Sequence, residues 1–136
     1  AFFKIPSIAV SLELSEHFEF ARAAEQARRV IENILEHKPA PGSLFNVNIP
    51  AYSRGEPKGI RVVPMGLGRY GEGFERRRDP RGRTYYWMTY TPPSEILGPE
   101  TDVTALIEGY VAVTPLRFDM TRHDLLPEVA NWDWKV

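Results

Sequence analysis

Three sets of residues have the types and spacing to do chemistry. Asp119 and His123 stand four apart, with Asp124 beside them. An acid–base pair or two metal ligands can be built this way, but no third ligand lies nearby. A hydrogen-bonded latch holding the tail of the chain is the plainer use. Arg69, Arg76, Arg77, Arg78, Arg81 and Arg83 form a local basic cluster, diluted by Glu72, Glu75 and Asp79. Such a cluster contacts phosphate or nucleic acid, or it pairs with carboxylates of a neighbouring subunit. Gly66-Leu67-Gly68-Arg69-Tyr70-Gly71 satisfies G-x-G-x-x-G. In a dinucleotide site the last glycine opens a helix whose N-terminus receives the pyrophosphate. Here Glu72-Gly73-Phe74-Glu75 and three arginines follow, with no helical apolar period, so flexible hairpin glycines are the better reading. His17 and His37 flank a helical stretch without zinc-helix spacing. No nucleophile elbow, Walker-type phosphate loop or adjacent aspartate pair occurs anywhere. On residue types alone we assign no catalytic and no metal-ligating residue.

The elements that would position these residues are legible in part. Residues 7–11 are an apolar run without alternation, as in strands buried on both faces of a parallel sheet. Ser15 is placed as the N-cap of a helix, with Glu16 and Glu19 near its positive end. Phe20, Ala24, Ala27, Ile31, Ile34 and Leu35 then recur at three and four, giving one apolar stripe over about five turns. His37 and Lys38 suit the negative end, and Pro39-Ala40-Pro41-Gly42 stops the helix. In residues 44–49, Phe45, Val47 and Ile49 alternate with Asn46 and Asn48, which predicts a strand and hence a parallel strand–helix–strand crossover.

From Lys58 onward the character changes. Strands over 59–65 and 84–90 flank a Gly/Arg-rich stretch closed by Asp79-Pro80-Arg81-Gly82, a type I turn sequence. This predicts a long antiparallel hairpin arm. Tyr85, Tyr86, Trp87 and Tyr90 put aromatics on both its faces, which one core cannot cover, so partner contact is expected. A short helix over 101–108 capped by Gly109 and a strand over 110–118 follow. Pro115 marks a bulge or an edge position in that strand. The tail, 124–134, can form only about two helical turns, so Leu125, Leu126, Val129 and Trp132 must dock on something.

Composition bounds the rest. The 136 residues carry a net charge of −1, with 43% hydrophobic, 26% charged and 12% aromatic residues. These values exclude a disordered chain. No apolar run approaches the ~18 residues of a membrane span. The absence of cysteine excludes disulfides, thiolate metal sites and a cysteine nucleophile, and it suits a reducing, cytoplasmic location. Ala1-Phe2-Phe3-Lys4, with no Met and two uncovered phenylalanines, is expected to be the interior of a longer chain.

Taken together the segments resemble the C-terminal half of the SurE family, the survival-protein nucleotidases. The matching pieces are Ile5-Pro6-Ser7-Ile8-Ala9-Val10-Ser11, Phe45-Asn46-Val47-Asn48-Ile49-Pro50, Lys58-Gly59-Ile60-Arg61-Val62, Asp79-Pro80-Arg81-Gly82 with Tyr86-Trp87, and Thr101-Asp102. The longest is Glu108-Gly109-Tyr110-Val111-Ala112-Val113-Thr114-Pro115-Leu116, followed by Asp119-Met120-Thr121. They occur in family order along essentially the whole chain.

The resemblance implies an α/β fold: the C-terminal part of a Rossmann-type nucleotidase, with a projecting β-hairpin and a C-terminal arm. Residues 1–57 would be the strand–helix–strand unit, 58–100 the hairpin arm, and 101–136 the short helix, strand and terminal arm. It implies a phosphomonoesterase that uses Mg²⁺ or Mn²⁺ on nucleoside monophosphates and assembles as a dimer or tetramer. Arg76, Arg77, Arg78, Asp79, Arg81, Tyr86 and Trp87 would then make oligomer contacts, with Asp119 and His123 at the hinge of the arm. The family's metal site, however, uses an adjacent aspartate pair, a serine and an asparagine, with a Ser-Gly-Thr segment on the phosphate. None of these is present, and Asn46 and Asn48 belong to a different motif.

The chain is therefore expected to bind no cation alone, to be inactive alone, and to be poorly soluble or obligately oligomeric. A non-enzymatic oligomerisation module and a basic-hairpin nucleic-acid binder are the alternatives. The slightly acidic chain disfavours the second, and no membrane partner is expected.

Overall fold

The computed structural model describes residues 3–67, 71–91 and 100–135. In chain order it contains β1 (Ser7–Leu12), α1 (Phe20–Glu36), β2 (Leu44–Ile49), a 3-10 turn (Tyr52–Arg54), β3 (Ile60–Val62), β4 (Gly71–Arg78), β5 (Thr84–Thr91), α2 (Asp102–Ile107), β6 (Val111–Leu116) and α3 (Leu126–Ala130). One sheet has the order β1-β2-β6-β3, and β4 pairs with β5 in a separate hairpin. β1 runs parallel to β2 through α1, as the strand–helix–strand pattern predicts. β6 inserts between β2 and β3, antiparallel to the first and parallel to the second.

Helix α1 covers one face of this sheet. Ala23 and Val30 are buried there against Val47, Ile49, Val111 and Val113, with Ala27 and Ile34 packed alongside. Burying each large aliphatic side chain contributes roughly 1.5–3 kcal/mol. The predicted stripe is thus rotated: Phe20 and Leu35, counted into it, are 68% and 52% exposed. A second stripe, through Ala23 and Val30 one residue before Ala24 and Ile31, shares the three–four spacing, and only the sheet chooses between them. Arg28 bridges Glu25 and Glu32 on the outer surface. The helix starts later than predicted, at Phe20 with Glu19 as N-cap and no side-chain cap, so Ser15 caps nothing.

Two further expectations change and a third resolves to one of its alternatives. β1 is parallel but lies at the sheet edge and is not buried on both faces; Val10 is 38% exposed. The strand expected over 59–65 shrinks to Ile60–Val62, because Pro64 cannot donate to the ladder. Of the two alternatives at Pro115, the edge position holds and the bulge does not: β2 and β6 stay in register from Asn48↔Ala112 to Leu44↔Leu116, while β3 ends opposite Val113. The amide of Val111 and the carbonyl of Val113 bond toward β3. By alternation position 115 faces that same side, beyond the end of β3, where a missing N–H costs nothing.

A hairpin forms with eight residues in each strand, but its first strand is the Gly/Arg-rich stretch Gly71–Arg78, while the strand expected over 59–65 joins the main sheet as β3. Its turn closes by the Gly82 amide donating to the Asp79 carbonyl at 2.9 Å, with Gly82 at φ 79°. Tyr90 is within β5, but its side chain, like the G-x-G-x-x-G residues Gly68, Arg69 and Tyr70, lies outside what is described.

Candidate functional site

Ligands of open α/β sheets sit outside the carboxyl ends of the strands. At that end Glu13 follows β1, and its carboxylate accepts from the Ala51 amide at 2.9 Å and from the Arg54 guanidinium. Arg54 also donates to the Leu106 carbonyl of α2 at 3.0 Å. One ion pair therefore ties together the ends of β1, β2 and α2. Beside it an opening of about 100 Å³ is lined by Pro50, Arg54, Lys58 and Glu108, well below the roughly 300 Å³ at which ligand pockets begin. Sequence reasoning missed Glu13 and Arg54, which are 41 residues apart. An ion pair between two loops leaves no periodicity to find.

The sheet face away from α1 is polar and small. Register puts Ser11 beside Asn48, and Asn46 between Ala9 and Thr114. The Thr114 hydroxyl is buried there with no hydrogen-bond partner among the described residues. On the α1 side, an open apolar groove of about 390 Å³ runs between the helix and β3, lined by Val30, Ile34, Phe45, Ile60 and Val62.

The root of the hairpin is held by a residue flagged only as half of a Thr-Asp pair. Thr101 caps α2 in a capping box with Thr104. The Asp102 carboxylate, nearly buried, accepts from the Gly66 amide at 2.7 Å and the Val103 amide at 2.9 Å. The Asp102 amide donates to the Pro64 carbonyl at 3.0 Å. The segment leaving the sheet for the arm and the segment returning from it are thereby joined. A Cβ at Gly66 would come within 3.1 Å of that carboxylate, which is why glycine fits.

At the arm's tip Asp79 accepts from the amides of Arg81 and Arg83 and so shapes the turn. Arg77 pairs with Glu75 and lies 5.1 Å over the Trp87 ring. Tyr86 and Trp87 are largely exposed on opposite faces. In the tail, His123 Nε2 and Asp119 Oδ2 are 2.6 Å apart, an exposed local contact. Hydrogen bonds from Thr121 and then from His123 hold the Asp119 carboxyl down at about 2. Asp124 is taken by Arg122, so the three polar residues of this segment do not converge.

Among the described residues no three His, Cys, Asp or Glu side chains come together to hold a metal ion. The donor set does not fit the divalent cation that the resemblance implies, and no catalytic step is assigned to one here.

The family model described as Survival protein SurE matches residues 1–72, more than half of the chain. The chain belongs to the SurE family. It is 47% identical over 133 residues to the 5'-nucleotidase SurE of Rhodopirellula baltica, covering 98% of this chain and 53% of that protein. It is 39% identical over 128 residues to the 5'-nucleotidase SurE of Heliobacterium modesticaldum, covering 94% of this chain and 47% of that protein. The crystal structure of the SurE protein from Aquifex aeolicus superposes with a TM-score of 0.72 at 32% identity, over 93% of this chain and 51% of that one. The chain thus spans about half the length of the curated relatives it matches. The mixed sheet with a separate hairpin is the SurE arrangement over that half. Among the described residues no helix is long and apolar enough to cross a membrane.

Proposed function

We propose that this chain works as the frame and assembly half of a cytoplasmic SurE-type nucleotidase. That enzyme would hydrolyse the phosphate monoester of nucleoside monophosphates with Mg²⁺ or Mn²⁺. The observation that carries the reading is the 47% identity, over 98% of the chain, to a protein named 5'-nucleotidase SurE. The cation is held by carboxylates that these 136 residues do not supply, since the sequence contains no adjacent aspartate pair. A hard divalent cation takes oxygen ligands, typically one or two carboxylates with phosphate and water. Without it the activated water and the neutralised leaving oxygen of metal-assisted hydrolysis are missing.

What this chain contributes is placement. Residues 1–57 carry the sheet and the Glu13–Arg54 clip at its carboxyl end. Residues 58–100 carry the arm, whose Arg76, Arg77, Arg78, Asp79, Arg81, Tyr86 and Trp87 offer oligomer contacts. Residues 101–136 carry the Asp102 clamp and the terminal arm, with Asp119 and His123 at its hinge. The exposure of Phe74, Tyr86, Trp87 and Met88 on the arm, and of Leu126, Trp132 and Trp134 on the tail, supports assembly into a dimer or tetramer.

The test is release of phosphate from nucleoside monophosphates with Mn²⁺ or Mg²⁺ present. The 136-residue chain alone gives none above background, and robust turnover by it overturns the division of labour. For the assembly half of the reading, deletion of 66–83 lowers the mass measured by sedimentation; an unchanged mass overturns it.

A further inference from the structure

The arginines of the arm are unlike those of the rest of the chain. Elsewhere, Arg22, Arg28, Arg29, Arg54, Arg61 and Arg122 each meet a carboxylate. On the arm Arg77 does so, donating to Glu75 at 2.5 and 2.9 Å. Arg76, Arg78, Arg81 and Arg83 are exposed and meet no carboxylate among the described residues. The nearby acids are otherwise engaged: Glu75 holds Arg77, and the Asp79 carboxylate accepts from the Arg81 and Arg83 amides. Glu72 stands at the root, opposite Tyr90. The net charge of −1 averages this contrast away. A ligand instead feels the charges within a Debye length, about 10 Å at 0.1 M salt.

Register adds a second component. Phe74 pairs with Met88, Arg76 with Tyr86 and Arg78 with Thr84, and cross-strand partners share a face. Arg76 and Arg78 therefore project from one face with Phe74, Tyr86 and Met88, each more than half exposed, beside them. The opposite face is already satisfied, with Arg77 tied to Glu75 and stacked over Trp87. A nucleotide carries twice as many backbone bonds as a residue. Alternate residues of a strand thus keep step with successive phosphates of an extended single strand. Guanidinium forks bind phosphate oxygens in pairs, and an exposed aromatic ring is a flat surface on which a base stacks. A duplex hides its base faces, so the single strand is the form that uses both components.

We propose that the outer arm binds single-stranded nucleic acid, with Arg76, Arg78, Arg81 and Arg83 on the phosphates and Tyr86 with Phe74 under the bases. The site goes beyond the nucleotidase reading and needs no second copy of the chain. Neither kind of contact reads the sugar, so RNA and DNA strands of one sequence bind alike. An acidic peptide would use the same arginines but leave Tyr86 without a stacking role, which separates the two partners by experiment.

The test is fluorescence anisotropy of a labelled strand of about 12 nucleotides, within the usual site sizes. The strand is titrated with the full 136-residue chain at several salt concentrations, with circular dichroism and sedimentation as checks on fold and mass. Each phosphate neutralised contributes roughly −0.7 to the slope of log affinity against log salt, so four contacts give about −2.8. Arg76→Gln with Arg78→Gln makes the slope shallower by about 1.4, and so does Arg81→Gln with Arg83→Gln. Tyr86→Ala weakens binding about tenfold at unchanged slope. Arg28→Gln with Arg29→Gln, an equal charge change at residues held by Glu25 and Glu32, alters neither. All variants keep the parent's mass. No binding at low salt, or a slope indifferent to both arm pairs, overturns the proposal. So does a preference of more than about tenfold for one sugar, which these contacts cannot supply. Binding that is unaffected by Tyr86→Ala and displaced by polyglutamate overturns it in favour of an acidic protein partner. A mass that falls together with the binding also overturns it, because the arginines would then act through assembly. Phosphate release is not a readout, so the nucleotidase reading stands or falls separately.

Discussion

The sheet and the hairpin are both built from paired strands, yet they are stabilised differently. In the sheet, β2 and β6 are flanked on both sides, and Val47, Ile49 and Val111 are wholly covered by α1. In the hairpin, β4 and β5 pair only with each other among the described residues, and Phe74, Tyr86, Trp87 and Met88 remain in solvent. An isolated two-stranded hairpin is marginal in water, so this one holds its shape through its turn, its cross-strand pairs and its anchored root. The difference separates two tasks: the sheet carries the stability of the chain, and the arm carries surface.

Equal truncations in the two regions should therefore have unequal effects. Ile49→Ala removes a fully covered side chain from beneath α1 and leaves a cavity, a change that costs about 2–5 kcal/mol in cores. Tyr86→Ala removes a larger side chain that is 66% exposed and shifts chain stability by less than about 0.5 kcal/mol. Urea denaturation followed by circular dichroism measures both. Comparable losses in the two variants would mean that the hairpin packs on the body, and the contrast would collapse.

How much of this could be read in the sequence follows the same division. Local patterns were legible: the alternation in 44–49, the turn residues Asp79 to Gly82, and the stop at Gly109. Each is fixed by neighbours a few residues away. Pairing across long separations was not. Nothing near Val111 says that β6 runs antiparallel to β2 between it and β3, and nothing near Glu13 points to Arg54. The sequence pattern alone turns the wrong face of α1 inward, because Ala27 and Ile34 belong equally to the stripe through Ala23 and Val30 and to the one through Ala24 and Ile31. A shift of one residue is ~100° of rotation, which only the facing sheet decides. The polar candidates fared similarly. The His123–Asp119 contact is four residues apart and was visible, whereas the Asp102 clamp acts on a backbone amide, which has no sequence signature.

That clamp is where the two regions meet, and it sharpens the contrast. Asp102→Ala strands the Gly66 and Val103 amides, and a buried donor left unpaired costs roughly 1–3 kcal/mol. Asp102→Asn keeps an oxygen acceptor and should lose less than half as much. The arm is affected more than the sheet: amide exchange at Gly66 and along β4 speeds up in Asp102→Ala, while β2 and β6 exchange as before. Uniform acceleration across both would make Asp102 a general stability residue with no particular hold on the arm.

The smallest expected effect lies in the tail, where exposure screens every charge. Asp119 is held down at about 2, first by hydrogen bonding from Thr121 and then by His123, against ~3.9 for an unperturbed aspartate. A carboxyl whose folded value is depressed contributes its stabilisation fully above the unfolded value and loses it as pH falls through the folded one. The turn over 119–123 should therefore persist down to about pH 4 and open progressively from there toward pH 2, while the sheet keeps its own acid tolerance. The Thr121 amide, which donates to Asp119 Oδ1 at 2.9 Å, reports this directly in a proton NMR titration. A midpoint near 2 that vanishes in Asp119→Asn fits the latch. A midpoint near 4 would mean that in solution the carboxylate makes neither bond, leaving the arm without a fixed starting direction from the body.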